Sequence, residues 1–452
     1  MTTISKKKQI KGWIMFDWAN SAYNLIIVST IFPAVFMGYY KKGIHFMGIY
    51  FEHSESLLTL AMSFSYLILA FLTPILSGIA DYGGYKKKYM QFFSTLGAIS
   101  CSLLMFFTKD RLELGLFLAV MASIGFSGSL VFYNAFLPEI VPAKFQDKIS
   151  AKGFAYGYFG SSLLLIFILI LIKILDQESA KNLKETLGED YARYFFMLVG
   201  LWWFGWAKWT FNVIPEGSSK GKGLKNKQLL VSGFKELKIV GKQILHEKTL
   251  KHFLTAFFMI ALGVQTIIII ANPFAVRIAE TFDGANEKLA KGEPAMATSE
   301  LVIIVLIMQF VGIIGSILFS KLSDKKGNII ALSSATFVYL GICLAAFIIT
   351  SKPMLYSLAG LMGFAMGGVQ SLCRSTYSKL LPKTEDHASF FSFYDILEKI
   401  AITTGTFCYG SLLLIIEDVR YGVLGLGFFF FLGLILLFRL RNQASLEPIK
   451  YG

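Results

Sequence analysis

Apolar runs of eighteen residues or more recur along the whole length of this 452-residue chain, and no water-soluble core can absorb them all. Each run is long enough for the ~20 residues that carry a helix across the hydrocarbon of a bilayer. Twelve spans are expected, over residues 13–40, 57–80, 89–108, 114–137, 153–175, 193–214, 251–279, 299–321, 328–350, 353–381, 388–416 and 419–440. Only 16% of residues are charged and 55% are hydrophobic, and the short alternating strands of a membrane barrel are absent. The longest stretch between spans, 215–250, has no room for a catalytic domain, so the chain is not expected to be an enzyme.

The basic start "MTTISKKKQIKGWIMF" resembles the lead of a signal peptide, but Asp17 interrupts the run before an h-region forms. The first span is therefore expected to be retained. Orientation follows from the lysine and arginine bias. Of the 43 Lys and Arg residues, 27 fall in alternate segments that include both termini, and 12 fall in the opposite set. Both termini are expected in the cytoplasm of a cell, with the protein in its inner membrane. The formal charge of +14 then faces anionic lipid, and no nucleic-acid partner is expected. Cys101, Cys343, Cys373 and Cys408 sit in apolar runs without paired spacing, and the histidines lack the i, i+4 partner of a zinc helix. No metal and no cofactor is expected. The G-x-x-x-x-G-K-S/T loop of ATP-driven pumps is also missing.

Two features repeat at one offset. Asp81 in "SGIADYGGYKKK" and Asp324 in "FSKLSDKKGN" are 243 residues apart, and Pro138 and Pro382, which close the fourth and tenth spans, are 244 apart. A shared offset argues for six helices duplicated to six. The expected division is an N-terminal six-helix bundle over 1–214, a basic linker over 215–250, and a C-terminal bundle over 251–452. Within the linker Leu230, Phe234, Leu237, Gly241 and Leu245 share a helical face, suited either to a membrane surface or to a solvated linker helix.

The loops "GIADYGGYKKK" and "SKLSDKKGN" resemble the G-x-x-x-D-x-x-G-x-K/R signature of the major facilitator superfamily. A narrower likeness runs through "FDWANSAYN", "VFYNAFLPEI", "GVQT", "GGVQSLCRS" and "SFYDILEK". These stretches are similar to the bacterial relatives of the fungal autophagy-related vacuolar amino-acid effluxer. The resemblance implies an all-α integral membrane protein with twelve transmembrane helices in two pseudo-symmetric six-helix bundles. It implies alternating access to a solute bound between the halves, with spans 1, 4, 7 and 10 lining the cavity. Asp81 and Asp324 would hold one conformation by meeting the N-terminus of an adjacent helix, where negative charge is favoured. In span 7 the chain has Leu262 before Gly263, where the family pattern carries an acidic residue, so no cation role passes to that position.

The buried polar residues name the candidate site. Asp17, Asn20, Ser21 and Asn24 are spaced i, i+3, i+4 and i+7, one stripe on the first span. An aspartate at mid-span costs about 2.5–3.5 kcal/mol on insertion scales, so such a stripe turns into the protein. Either it ties helices together or it lines a solute path, and four stacked polar groups favour the path. The other substrate-binding candidates are Tyr133 and Asn134 in span 4, Gln265, Thr266 and Asn272 in span 7, and Gln370 and Arg374 in span 10. Candidate gating or coupling residues are Asp17, Asp81, Asp324, Arg374, Asp395, Glu398 and Lys399. Arg374 and Asp395 fall at similar depth and are expected to pair, and Asp395 and Lys399 form an i, i+4 acid-to-base pair. A proton exchanged at Asp17 or Glu398 would couple the cycle to a pH gradient.

Gly360, Gly363, Gly367 and Gly368 suit either a bending helix or tight static packing. Trp202, Trp206 and Trp209 share a face of span 6 and are expected against lipid. The expected partners are thus a small-molecule substrate, protons and membrane lipids. The expected function is secondary transport, and the resemblance implies efflux of an amino acid or related metabolite; rivals are a lipid or amphipathic-drug transporter and a transporter-like sensor.

Overall fold

The computed structural model describes residues 5–52, 54–177, 191–216, 226–285, 295–416 and 418–446. Nearly all of them are helical, as hydrocarbon requires, because a spanning helix satisfies its own backbone hydrogen bonds. The chain begins with α1 (Lys6–Ala22), a π turn over Tyr23–Val28 and α2 (Ile31–Tyr39), followed by a small hairpin of β1 (Ile44–Phe46) and β2 (Ile49–Phe51). Next come α3 (Ser54–Gly83), α4 (Lys86–Leu103), α5 (Leu112–Ala135), the short α6 (Leu137–Ile140), α7 (Ala143–Leu175) and α8 (Tyr194–Val213). After α9 (Asn226–His246) run α10 (Lys248–Ala279), α11 (Thr298–Lys326), α12 (Asn328–Ala345), α13 (Lys352–Leu380), α14 (His387–Ile415) and α15 (Val419–Leu446).

Ten segments of the described residues are long and apolar enough to cross a membrane. Two of the twelve expected spans fall outside these ten: α8 has 20 residues diluted by four tryptophans and Lys208, and α14 has 29 that include Asp395, Glu398 and Lys399.

The chain forms two compact units. The first comprises Met1–Phe136, Tyr156–Lys238 and Glu385–Ser392; the second comprises Leu137–Ala155, Ile239–Thr384 and Phe393–Gly452. Helices α7 and α14 therefore each begin in one unit and end in the other. In the first unit α4 crosses α5 so closely that a Cβ on Gly125 would fall on the backbone of Gly97. In the second unit α11 and α13 interlock the same way: Cβ atoms at Gly363 and Gly367 would fall on the carbonyl oxygens of Met308 and Gly312. Of the two readings of these glycines, close static packing within one unit is the one the contacts support, and only Gly360 is roomy, with Ile307 at 3.8 Å.

The tryptophans of α8 divide. Trp203 is fully buried, while Trp206 is 38% exposed. Trp202 stacks on Trp18 at 5.5 Å and donates Nε1–H to the Trp18 carbonyl at 3.2 Å, so it also joins two helices. All four cysteines are free thiols.

Residues 217–225 of the expected linker, and the side chain of Leu230, lie outside what the structure describes. In α9 the expected apolar face is turned outward, with Phe234 and Leu245 exposed, while the stripe Gly233, Val240 and Ile244 is buried. The cause is local: Gly233 brings the α9 backbone onto Gly78 of α3, an approach that a side chain at either position would block.

Candidate functional site

The polar stripe of the first span is broken by its own backbone. Asp17 and Asn20, on α1, are 5% and 2% exposed. Asn24 lies on the π turn, whose wider coil rotates it off the line of the preceding helix, and it is exposed. The hydroxyls of Ser29 and Thr30 close that turn by donating to the carbonyls of Asn24 (3.0 Å) and Leu25 (2.8 Å). The expected four-residue stripe is thus a buried pair, with Ser21 at its edge against Gly157 of α7.

Asp17 is held by an aromatic clamp. Tyr133 of α5 donates its hydroxyl to Asp17 Oδ2 at 2.7 Å. Its ring stacks on Trp13 at 4.6 Å and leans on Phe16 at 4.8 Å, and Trp13 Nε1–H donates to the Tyr133 carbonyl at 3.0 Å. On the same two helices, one turn after Asp17 and next to Tyr133 in the chain, Asn20 Nδ2 and Asn134 Oδ1 are buried atoms with no hydrogen-bond partner among the described residues. One is a donor and the other an acceptor. Buried amide groups are rarely left so, and each such exception calls for an explanation.

In the second unit, Gln265 of α10 donates Nε2–H to Glu398 Oε1 of α14 at 2.6 Å. Lys399 pairs with Asp395 across one turn at 3.5 Å, and Asp395 Oδ2 has no hydrogen-bond partner among the described residues. Arg374 of α13 turns to Ser150 of α7, donating from Nε to Oγ (2.9 Å) and from Nη2 to the carbonyl (3.0 Å), with its guanidinium 4.2 Å over the Phe154 ring. The expected Arg374–Asp395 pair is replaced by these two separate anchorages. A wall of rings separates out here that the sequence did not signal: Tyr394 stacks on Phe257 at 4.1 Å and meets Tyr377 at 5.0 Å.

Thr266 serves its own helix. Its hydroxyl donates to the Leu262 carbonyl at 2.7 Å, and Gly405 of α14 packs directly upon it, so it is spent on packing. Asn272 and Gln370 are half-buried. A pocket within the second unit, walled by Ile270, Phe274, Met308, Met362 and Val423 among others, is wholly apolar and contains none of the candidate polar residues. Among the described residues no group of three or more His, Cys, Asp or Glu side chains is placed to hold a metal.

The two repeated aspartates behave differently. Asp81, 3% exposed at the end of α3, accepts the backbone N–H groups of Ala388 (3.2 Å) and Ser389 (2.7 Å) in the first turn of α14, with Lys86 Nζ 3.6 Å away. Orphan amides and the helix dipole make that a favourable seat for a carboxylate. Asp324 departs from the expectation. It is exposed in the last turn of α11, because the face of that turn directed into the unit carries its neighbour Ser323. The buried carboxylate there belongs to Asp147 of α7, which accepts from Ser323 Oγ (2.8 Å), Asn328 Nδ2 (2.8 Å) and Lys379 Nζ (2.6 Å). Asp147, Ser150, Asn328 and Lys379 are not among the residues expected from the sequence, where lysines bear on topology alone. An acid spaced i, i+3 from a serine in the otherwise basic "KFQDKIS" was the available signal.

Asp147→Ala should cost the purified protein roughly 3 kcal/mol, the effect of leaving Lys379 without its carboxylate. Asp324→Ala should stay within about 0.5 kcal/mol, as for most exposed positions. Melting temperatures in detergent, compared with the parent chain, check both.

A family model described as vacuole effluxer Atg22 like matches residues 5–447. The chain is 30% identical over 441 residues to the uncharacterized MFS-type transporter YxiO of Bacillus subtilis, covering 97% of this chain and 96% of that protein. It is 24% identical over 484 residues to autophagy-related protein 22 of Yarrowia lipolytica, covering 87% and 75%. Among solved structures it resembles the major facilitator transporter FucP in its outward conformation, with a TM-score of 0.64 at 13% identity over 96% of this chain and 98% of that one. The human organic anion transporter MFSD10 gives 0.66 at 12% identity over 96% and 99%. At such identities the likeness establishes the major facilitator fold alone.

Proposed function

From the premise that this chain belongs to the vacuole effluxer Atg22-like family, we propose that it exports an amino acid or a related small metabolite by alternating access, driven by protons. The carrying observation is the Asp17–Tyr133 clamp with the unmatched Asn20 Nδ2 and Asn134 Oδ1 on the same two helices. A solute with donor and acceptor groups would satisfy both atoms, and Asp17 supplies a carboxylate able to exchange a proton or face an ammonium group. The lysine bias supports placement in the inner membrane with both termini cytoplasmic.

Gating is assigned to the starts of α7 and α14. The Asp147 cluster holds one and Asp81 holds the other, and release of these seats accompanies the change of access. In the second unit Gln265, Glu398, Asp395 and Lys399 form the linked set that re-pairs as charge moves.

Counterflow of a metabolite panel in proteoliposomes, with and without a pH gradient, tests the proposal. Accumulation of an amino acid that responds to the gradient is the expected result. Flux that ignores the gradient removes protons from it, and binding without flux replaces the transporter with a sensor.

A further inference from the structure

The hairpin between α2 and α3 displays apolar residues where a water-facing turn carries polar ones. β1 and β2 pair antiparallel, with Ile44 opposite Phe51, His45 opposite Tyr50 and Phe46 opposite Ile49. The connecting pair is Met47-Gly48, both at positive φ (+49° and +80°). Such a turn favours asparagine or aspartate before glycine. Among the described residues Met47 is the sole non-glycine at positive φ, and it is 86% exposed. Ile49 and Tyr50 are 60% and 53% exposed beside it. A conformation that asparagine would adopt more easily is therefore given to a methionine at the most open point of the loop, and strain retained at an exposed apolar tip points to a contact made there.

The surroundings identify the partner. The hairpin is tied at one end to α2, which completes the first span, and at the other to α3, so its three-residue strands carry the tip only about 10 Å from the ends of those helices. β2 packs on α3, and α3 presents Leu60, Phe64, Leu67 and Phe71 as an outward row, 55% to 70% exposed, spaced as a lipid-facing stripe. Tyr50 is oriented as an interfacial residue: its hydroxyl donates to the Lys42 carbonyl at 2.9 Å at the hairpin base, leaving the ring outward. Lys41 and Lys42 are exposed next to it, cations placed for lipid phosphate. Apolar tip, anchored tyrosine and flanking lysines are the composition of a segment lying in the headgroup–acyl boundary.

We propose that Met47, Ile49 and Tyr50 insert into the lipid interface beside α3 and anchor the end of the first span. The anchor acts on α2, a nine-residue helix separated from α1 by the π turn. It fixes the far end of a span whose middle is built to bend.

The test uses the full chain in phosphatidylcholine–phosphatidylglycerol vesicles, with Cys408→Ser removing the one native cysteine that is not buried. A nitroxide is attached at Met47→Cys and, as a control, at Asp110→Cys in the exposed turn before α5. Collision with lipid-partitioning oxygen is compared with collision with a water-soluble nickel chelate. The expected result is an oxygen-to-nickel ratio several-fold higher at position 47 than at 110. Equal ratios would place the tip in water and overturn the proposal, and exclusion of both agents would place it against protein and overturn it too. Because Met47 is so exposed, the label leaves the fold intact, which an unchanged elution profile verifies.

Discussion

Asp17→Asn should abolish solute accumulation driven by a pH gradient while leaving solute exchange measurable. One proton coupled to one solute across a unit of pH stores about 1.4 kcal/mol, enough for roughly tenfold accumulation. The variant should fall to an equal distribution on both sides. Asparagine keeps the shape of the side chain and an oxygen that can still accept from the Tyr133 hydroxyl, so the clamp with Trp13 and Phe16 stays assembled. What disappears is the group that can take and release a proton. The measurement is radiolabelled uptake into proteoliposomes with an imposed gradient, set against counterflow at uniform pH. Undiminished accumulation would remove Asp17 from coupling and transfer the question to Glu398 and Asp395.

Gly367→Leu should prevent the second unit from assembling. The position has no room for even a methyl group: its Cβ would fall on the Gly312 carbonyl oxygen, with Ser316 N at 2.8 Å. Backbone groups cannot rotate away, so α11 and α13 must separate and give up their packing. In membranes that close packing is itself the main source of association between helices. A penalty of at least about 3 kcal/mol is expected, in the range of the largest single-residue effects. Fluorescence-detected size-exclusion profiles should show aggregate or no protein. Gly360→Ala is the matched control, since the nearest atom there is Ile307 Cγ2 at 3.8 Å, and it should elute as the parent does. Equal behaviour of the two variants would refute the assignment of these glycines to static packing.

The candidate site was legible in proportion to how local its causes are. Asp81 could be read because its chemistry follows from a motif at a helix end, and the structure seats it on the first turn of α14. The same motif misplaced Asp324, because one residue of helix rotation decides whether Ser323 or Asp324 faces inward. Asn24 was misplaced by a π turn, which a periodicity of 3.6 does not contain. Asp147 was invisible for a different reason. Its partners lie 176, 181 and 232 residues away, and the local pattern of an acid and a serine among lysines does not say which of them it meets.

By itself the sequence determined that this chain crosses a membrane many times and that carboxylates and amides lie within its spans. These follow from the transfer of side chains and backbone between water and hydrocarbon, a cost set residue by residue. Only the tertiary structure decided which polar groups meet. Asp17 takes Tyr133 and Arg374 takes Ser150, while Thr266 is consumed by the packing of Gly405. The physical reason is that a hydrogen bond depends on position to a fraction of an ångström, and those positions are set by how glycine-lined helices approach one another across the whole unit.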